Sequence, residues 1–285
     1  MSLLFSALSL GAVYALVAIG YNLVFISSHS FNFAQAQLMM VGAFVAYSGY
    51  ITFELPVVLV VLLAAVVVAV VAFIEERVAV RPVSDHQTQL ITTLGFGTVL
   101  TGLASIIWGT EPLRVPFIFG DNVLTIAGGR VLPSELALIA LAIGLVVLIV
   151  WFSRTFMSGI AVMAMSEDHE AALLRGVNIR AMAAGVFAVT GLLAGVMGVF
   201  IGPKTFAVAS LGAALALKGF VALALGGFGS FTGGLIGGFT VGIVEMFAAR
   251  YWGPEFSTLS VFALLILVLM LKPQGIFGKV TERAV

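Results

Sequence analysis

The residues able to do chemistry are few, and they fall in three places. Lys218 lies inside the apolar run LALKGFVALALGG; Asn32, Gln35 and Gln37 open the run FNFAQAQLMMVGAF; and Glu167, Asp168, Glu170, Arg175 and Arg180 crowd the stretch SEDHEAALLRGVNIR. A charge at mid-bilayer costs roughly 2.5–3.5 kcal/mol on insertion scales, so a lysine within a span is a functional candidate by default. Lys218 can line a solute path or bond helix-terminal carbonyls; as a tether it would snorkel or pair inside the bundle. Asn32, Gln35 and Gln37 are neutral, so they can hold a polar or zwitterionic solute without demanding a counter-charge. The competing use is hydrogen bonding between helices, worth about 0.6 kcal/mol on average inside membranes. Tyr14, Tyr21 and Asn22 offer weaker versions of the same chemistry.

Other chemistry is missing from the sequence. No GxxxxGK[ST] loop is present to cradle phosphates, and His29, His86 and His169 form no HExxH pair, nor is there a GxSxG elbow. The absence of cysteine removes disulfides, iron–sulfur clusters and thiolate zinc sites. No catalytic or metal-binding residue is assigned, and no basic block points to nucleic acid. An intramembrane enzyme is the weakest class.

These side chains must be carried by membrane helices. With 61% hydrophobic and 9% charged residues and a net charge of zero, the chain lacks the polar surface of a soluble globule. The long, unalternating apolar runs favour helices over barrel strands. A span needs roughly 20 residues, which gives nine candidates at about 3–26, 31–50, 56–74, 88–109, 134–152, 181–201, 206–226, 229–248 and 257–271, with eight to ten fitting the same runs. The expectation is an all-α polytopic bundle forming one domain over 1–285, with a cytoplasmic loop at 153–180. Arg77, Arg81, Arg154, Arg175, Arg180, Lys272, Lys279 and Arg283 fall on one side; Arg114, Arg130, Lys204 and Arg250 fall on the other. The positive-inside rule then puts the carboxyl terminus and the loop in the cytoplasm, and an odd span number puts the amino terminus outside. Glu75, Glu76, Arg77 and Glu245 read as anchors at the boundaries, leaving no acid mid-span of the kind a proton- or sodium-coupled carrier needs.

Gly191, Gly195, Gly198 and Gly202 recur on one helix face. Gly229, Gly233 and Gly237, beside Gly234, Gly238 and Gly242, make two ridges on another. Small residues at this spacing let helix backbones approach closely; the minority alternative is a seam that moves during transport. Residues 166–176 have the grammar of a short helix: Ser166 to cap it, Glu167, Asp168 and Glu170 at the positive end, Arg175 at the negative end, and Gly176 as a left-handed stop. So short a helix is marginal alone. Ala171, Ala172 and Leu174 give it a small apolar face suited to a groove on another protein, unless it is a connector lying on the bilayer.

EAALLRG has the spacing of the EAA–x3–G coupling loop, and GIAVMAMSEDHEAALLRGVNIRAMAAGVFAVTGLLAGVMGVF resembles the permeases of the high-affinity branched-chain amino acid ABC importer family. GYNLVF followed by FNFAQAQLMMVGAF, then KGFVALALGGFGSFTGGLIGGFTVG and LKPQGIFG, extend the resemblance along the chain in the family's order. The chain departs from it at Gln35–Ala36, where the family commonly has His-Gly or Gln-Gly, and at Ala164–Met165, where it has Arg-Ala. The resemblance implies a non-enzymatic permease of the cell (inner) membrane that works by alternating access. It also implies a second related permease chain, two ATP-binding cassette ATPases carrying ATP and magnesium, and an external solute-binding protein. Glu170, Ala171, Ala172, Leu174, Arg175 and Gly176 would couple to the ATPase. Branched-chain amino acids, other amino acids, amides and urea are the solutes implied; a self-sufficient channel or secondary transporter is the rival class.

Overall fold

The computed structural model describes residues 1–278 apart from His29, Ser30, Ser84, Ile118, Phe119, Asp121, Ala127, Asp168, His169, Glu170, Ala171, Leu173 and Arg175; for His86 and Glu167 it describes the backbone only. Its helices are α1 (Ser2–Ser28), α2 (Gln35–Tyr47), α3 (Val57–Glu75), α4 (His86–Trp108), α5 (Pro133–Thr155), α6 (Met157–Glu167), α7 (Ile179–Thr205), α8 (Leu211–Gly226), α9 (Phe231–Tyr251) and α10 (Glu255–Leu271). Two π-helical turns, Ser48–Thr52 and Glu76–Val80, extend α2 and α3. A small antiparallel ribbon, β1 (Leu124–Ile126) with β2 (Gly129–Val131), lies between α4 and α5.

Apolar length and local capping chemistry explain the elements. Asp85 accepts from the Thr88 amide to start α4, Asn178 from Ala181 to start α7, and Ser230 from Gly233 to start α9, each satisfying an otherwise unpaired N–H. α1 is the axis of the molecule: most of it is buried, and it packs against α9, α8, α5 and α7. A helix enclosed on all sides needs no polar stripe, and α1 has none.

Among the described residues, six helices are long and apolar enough to cross a membrane: α1, α3 with its π turn, α4, α5, α7 and α9. This corrects the expectation of nine. The other three candidates are shorter helices, α2 with 13 residues, α8 with 16 and α10 with 17. At about 1.5 Å rise per residue, these fall short of a hydrocarbon core about 30 Å thick. Specific contacts shorten two of them. Asn32 Oδ1 accepts from the Ala34 amide and turns the chain before α2 can start. Leu113 and Ala207 exchange backbone hydrogen bonds, holding the chain extended ahead of α8. The 153–180 segment also holds more structure than expected, because α6 occupies its first half.

Contacts define two ends. At one, Ser6 and Lys204 meet on Glu135, and the Arg130 amide donates to Ser2. At the other, Asn22 holds the turn between α8 and α9, and the tail after α10 folds back so that the Ile276 and Phe277 amides donate to Leu225 and Gly226.

Candidate functional site

The polar start of α2 is enclosed by protein. Asn32 and Gln35 are fully buried and Gln37 nearly so. The Phe33 amide donates to Thr93 Oγ1 at 3.3 Å, tying this segment to α4. Gln35 rests against Gly20 of α1, and Gln37 lies between Gly97 of α4 and Gly212 of α8. Phe25, Phe31, Phe33, Phe220 and Phe228 form an aromatic cluster beside the same segment. Polar atoms at this depth remain without hydrogen-bond partners: Asn32 Nδ2, both amide atoms of Gln35, and Gln37 Oε1. Buried polar groups are almost always satisfied, so an unpaired set calls for an explanation in bound solute or water.

Lys218 lies elsewhere. Its ammonium pairs with Glu245 of α9, and the Tyr14 hydroxyl of α1 donates to the other carboxylate oxygen at 2.7 Å. Glu245 is therefore not a boundary anchor: it is buried at the α1–α8–α9 junction. Glu75 and Glu76 are buried as well, correcting their reading as interfacial anchors, while Arg77 and Arg81 both turn to Glu76. The consequence is that buried acids do exist within the spans. The signal for Glu245 was present, since a lysine inside a span needs a counter-charge and α9 carries no other acid. Tyr21 donates to the Ala216 carbonyl, and Asn22 bridges the Gly229 amide and Ser230 carbonyl, so these two act between helices.

Of the coupling candidates, Glu170, Ala171 and Arg175 lie outside the described residues. Ala172 and Leu174 are helical; Ala172 is buried and Leu174 is 89% exposed. Gly176 adopts φ +85°, and the Val177 amide donates back to the Ala172 carbonyl at 3.1 Å. This six-to-one bond over a left-handed glycine is a Schellman stop. Ser166 does not cap this turn: it sits in the last turn of α6, its hydroxyl donating to the Met163 carbonyl, and the capping residue nearby is Asn178 of α7.

The glycines sit at backbone contacts. Gly191 and Gly195 meet Val68 and Ala64 of α3, and Gly198 meets Met39 of α2. Gly233 and Gly237 meet Gly226 and Ala222 of α8, while Gly234, Gly238 and Gly242 meet Ala18, Ala15 and Gly11 of α1. Gly229 departs from the packing expectation: it precedes α9, has φ +78°, and a Cβ added there would meet nothing within 4 Å. Its amide is what matters, donating to Asn22 Oδ1 at 2.8 Å. An apolar crevice of about 440 Å³ opens between α1, α5, α6 and α7, but it gathers too few polar groups to orient a zwitterion.

The arrangement defines a class: an all-α, multi-pass membrane bundle with enclosed polar groups and a glycine-stopped turn beyond the spans. The chain belongs to the family described as branched-chain amino acid transport system / permease component, which matches residues 3–271. It is a transport component rather than an enzyme. Similar proteins include the high-affinity branched-chain amino acid transport system permease protein LivH of Escherichia coli K12, 31% identical over 97% of this chain and 94% of the relative. BraD of Pseudomonas aeruginosa, described in the same words, is 30% identical over 97% and 95% of the two chains. Among solved structures, a chain of PsaBC from Streptococcus pneumoniae in complex with Fab shares the fold with a TM-score of 0.54 at 12% identity, over 96% of this chain and 93% of that one.

Proposed function

We propose that this chain is the permease subunit of an ATP-driven importer in the cell (inner) membrane, carrying branched-chain or related amino acids by alternating access. It pairs with a second related permease, two cytoplasmic ATPases that bind ATP and magnesium, and an external binding protein that delivers solute. The observation that carries the reading is the stopped turn at Ala172–Gly176, which holds Leu174 out into solvent at the end of the bundle that bears Arg77, Arg81, Arg154, Arg180 and Lys272. That end is cytoplasmic by the excess of basic residues, so the carboxyl terminus faces inward and the amino terminus outward. The 153–180 segment belongs to the one permease domain, 1–285. In this reading α2, α8 and α10 lie within the bilayer as part-spanning helices beside the six full spans.

Asn32, Gln35, Gln37 and Lys218 are the path candidates. The first three carry the stronger case, because their buried polar atoms lack partners whereas Lys218 has Glu245. ATPase closure would push Glu170–Gly176 and rock the helices around this path. The test replaces Glu170→Lys or Gly176→Pro in the reconstituted complex. Membrane insertion should persist, while ATPase association and uptake are lost. ATP-dependent uptake at the wild-type rate in both variants would remove the coupling assignment.

A further inference from the structure

Among the described residues, each buried acid has a cation except one. Glu76 is met by Arg81 at 3.1 Å, Glu135 by Lys204 at 2.6 Å, and Glu245 by Lys218. Glu75 is fully buried, and neither of its carboxyl oxygens has a hydrogen-bond partner. The cause is local: the π turn at Glu76–Val80 begins one residue later, and both following arginines are directed to Glu76 instead. Single π turns of this kind recur at functional sites. A carboxylate taken out of water without a partner costs several kcal/mol, so an ionised Glu75 requires a cation that the described residues do not supply.

The neighbours narrow the cation. Asn32 stands beside Glu75, and no hydrogen bond of ordinary geometry closes between them. The Asn32 amide is oriented by its own oxygen, which accepts from Ala34 and leaves Nδ2 as a free donor. Gln35, whose backbone N–H donates to the Asn32 backbone carbonyl, adds a free donor and a free acceptor in its side-chain amide. The unpaired atoms are thus of both kinds: acceptors on Glu75 and Gln35, donors on Asn32 and Gln35. A bare metal ion or a proton would satisfy the acceptors only. An α-amino acid presents three ammonium donors and a carboxylate in one molecule.

We propose that Glu75 is the counter-charge for the ammonium group of the transported amino acid, with Asn32 and Gln35 receiving its carboxylate. This deepens the importer reading and rests on it. In the conformation described here the place is shut, since Gln35 packs against Gly20; the solute reaches it when α1 and α2 separate.

The experiment uses the full transporter, with its partner permease, ATPases and binding protein, in proteoliposomes with labelled leucine, isoleucine and valine. Glu75→Gln keeps the shape and removes the charge. Uptake should fall about tenfold or more, the scale of losing a hydrogen bond to a charged group, with assembly of the complex retained. Glu75→Asp, which keeps the charge and shortens its reach, should transport with a raised KM. Glu75→Gln at the wild-type rate overturns the proposal, and so does wild-type KM in Glu75→Asp, which also decides the matter if the Gln variant does not assemble. A sodium requirement present in the wild type and absent in Glu75→Gln overturns it by assigning the residue to a metal ion. Failure of the wild-type complex to import any amino acid would instead count against the importer reading itself.

Discussion

Replacing Lys218→Met tests whether the buried charge pair holds the α1–α8–α9 junction. The change keeps the side chain's length and takes the cation away from the Glu245 carboxyl group, leaving the Tyr14 hydroxyl as its donor among the described residues. Breaking a buried pair from one side costs about 3–5 kcal/mol. With side-chain exposures of 21% for Lys218 and 10% for Glu245, some water reaches the pair, and the lower end, about 3 kcal/mol, is expected. The Lys218 ammonium also lies 5.7 Å from the centre of the Tyr14 ring, a contact worth about 0.5–1 kcal/mol that is lost as well. Glu245→Leu alone should cost a similar amount by stranding the ammonium. The double variant, Lys218→Met with Glu245→Leu, should recover most of the loss, because an apolar pair of similar volume is often as stable as the ions it replaces. The assay is unfolding of the purified permease in mixed micelles of rising denaturing-detergent fraction, followed by loss of helix signal. A coupling energy of about 2 kcal/mol or more between the two sites is expected. Single variants as stable as wild type, or a double variant whose loss equals the sum of the singles, would refute the argument.

The glycines should divide by what faces them. Gly237→Ala places a methyl group against the Ala222 carbonyl of α8 and must push two backbones apart, whereas Gly144→Ala meets nothing within 4 Å. The first should lower stability in the same assay, and the second should raise it by about 0.5–1 kcal/mol through backbone entropy; the reverse order would contradict the packing assignment. The pair Gly20→Cys with Gln35→Cys exploits a chain that has no native cysteine. A side chain built at Gly20 would reach Gln35 Cγ within 2.7 Å, so a disulfide between α1 and α2 should form on oxidation. It should stop uptake until reduced, and wild-type uptake by the cross-linked complex would exclude separation of α1 and α2 during transport.

Helix identity was legible because long apolar runs without alternation fit helices and not the strands of a barrel, and the glycine ridges on α9 were legible because their spacing alone selects two faces. Helix ends were less so. Nothing local to FNFAQAQ announces that Asn32 will fold back on the Ala34 amide, or to KTFAVAS that Ala207 will bond Leu113 across the chain. Ser166 was misread because serine caps a helix or bonds back within one, and the choice depended on α6, whose apolar MSGIAVMAM continues a membrane-like pattern into the loop. Glu75 and Glu245 were placed at interfaces by their distance from the ends of apolar runs. Their burial depends on which helices surround them, a three-dimensional property that depth along one helix does not carry.

The glycine contacts also constrain how such a bundle can move. α9 lies backbone to backbone on α1 through Gly234, Gly238 and Gly242, and on α8 through Gly233 and Gly237. α7 lies in the same way on α3 through Gly191 and Gly195, and on α2 through Gly198 and Gly42. Close-packed surfaces of this kind are bistable rather than continuously deformable, so sliding along them means losing many short contacts together. The α2 start meets the first group differently: Gln35 on Gly20 and Gln37 on Gly212 are side chains resting on backbone, and their polar atoms are the unpaired ones. Separating α2 from α1 and α8 there breaks no hydrogen bond of Gln35 and admits groups that would make new ones. The balance of contacts therefore favours two glycine-tight units, α1–α8–α9 and α2–α3–α7, parting along the polar start of α2, over a seam that moves along the glycines themselves.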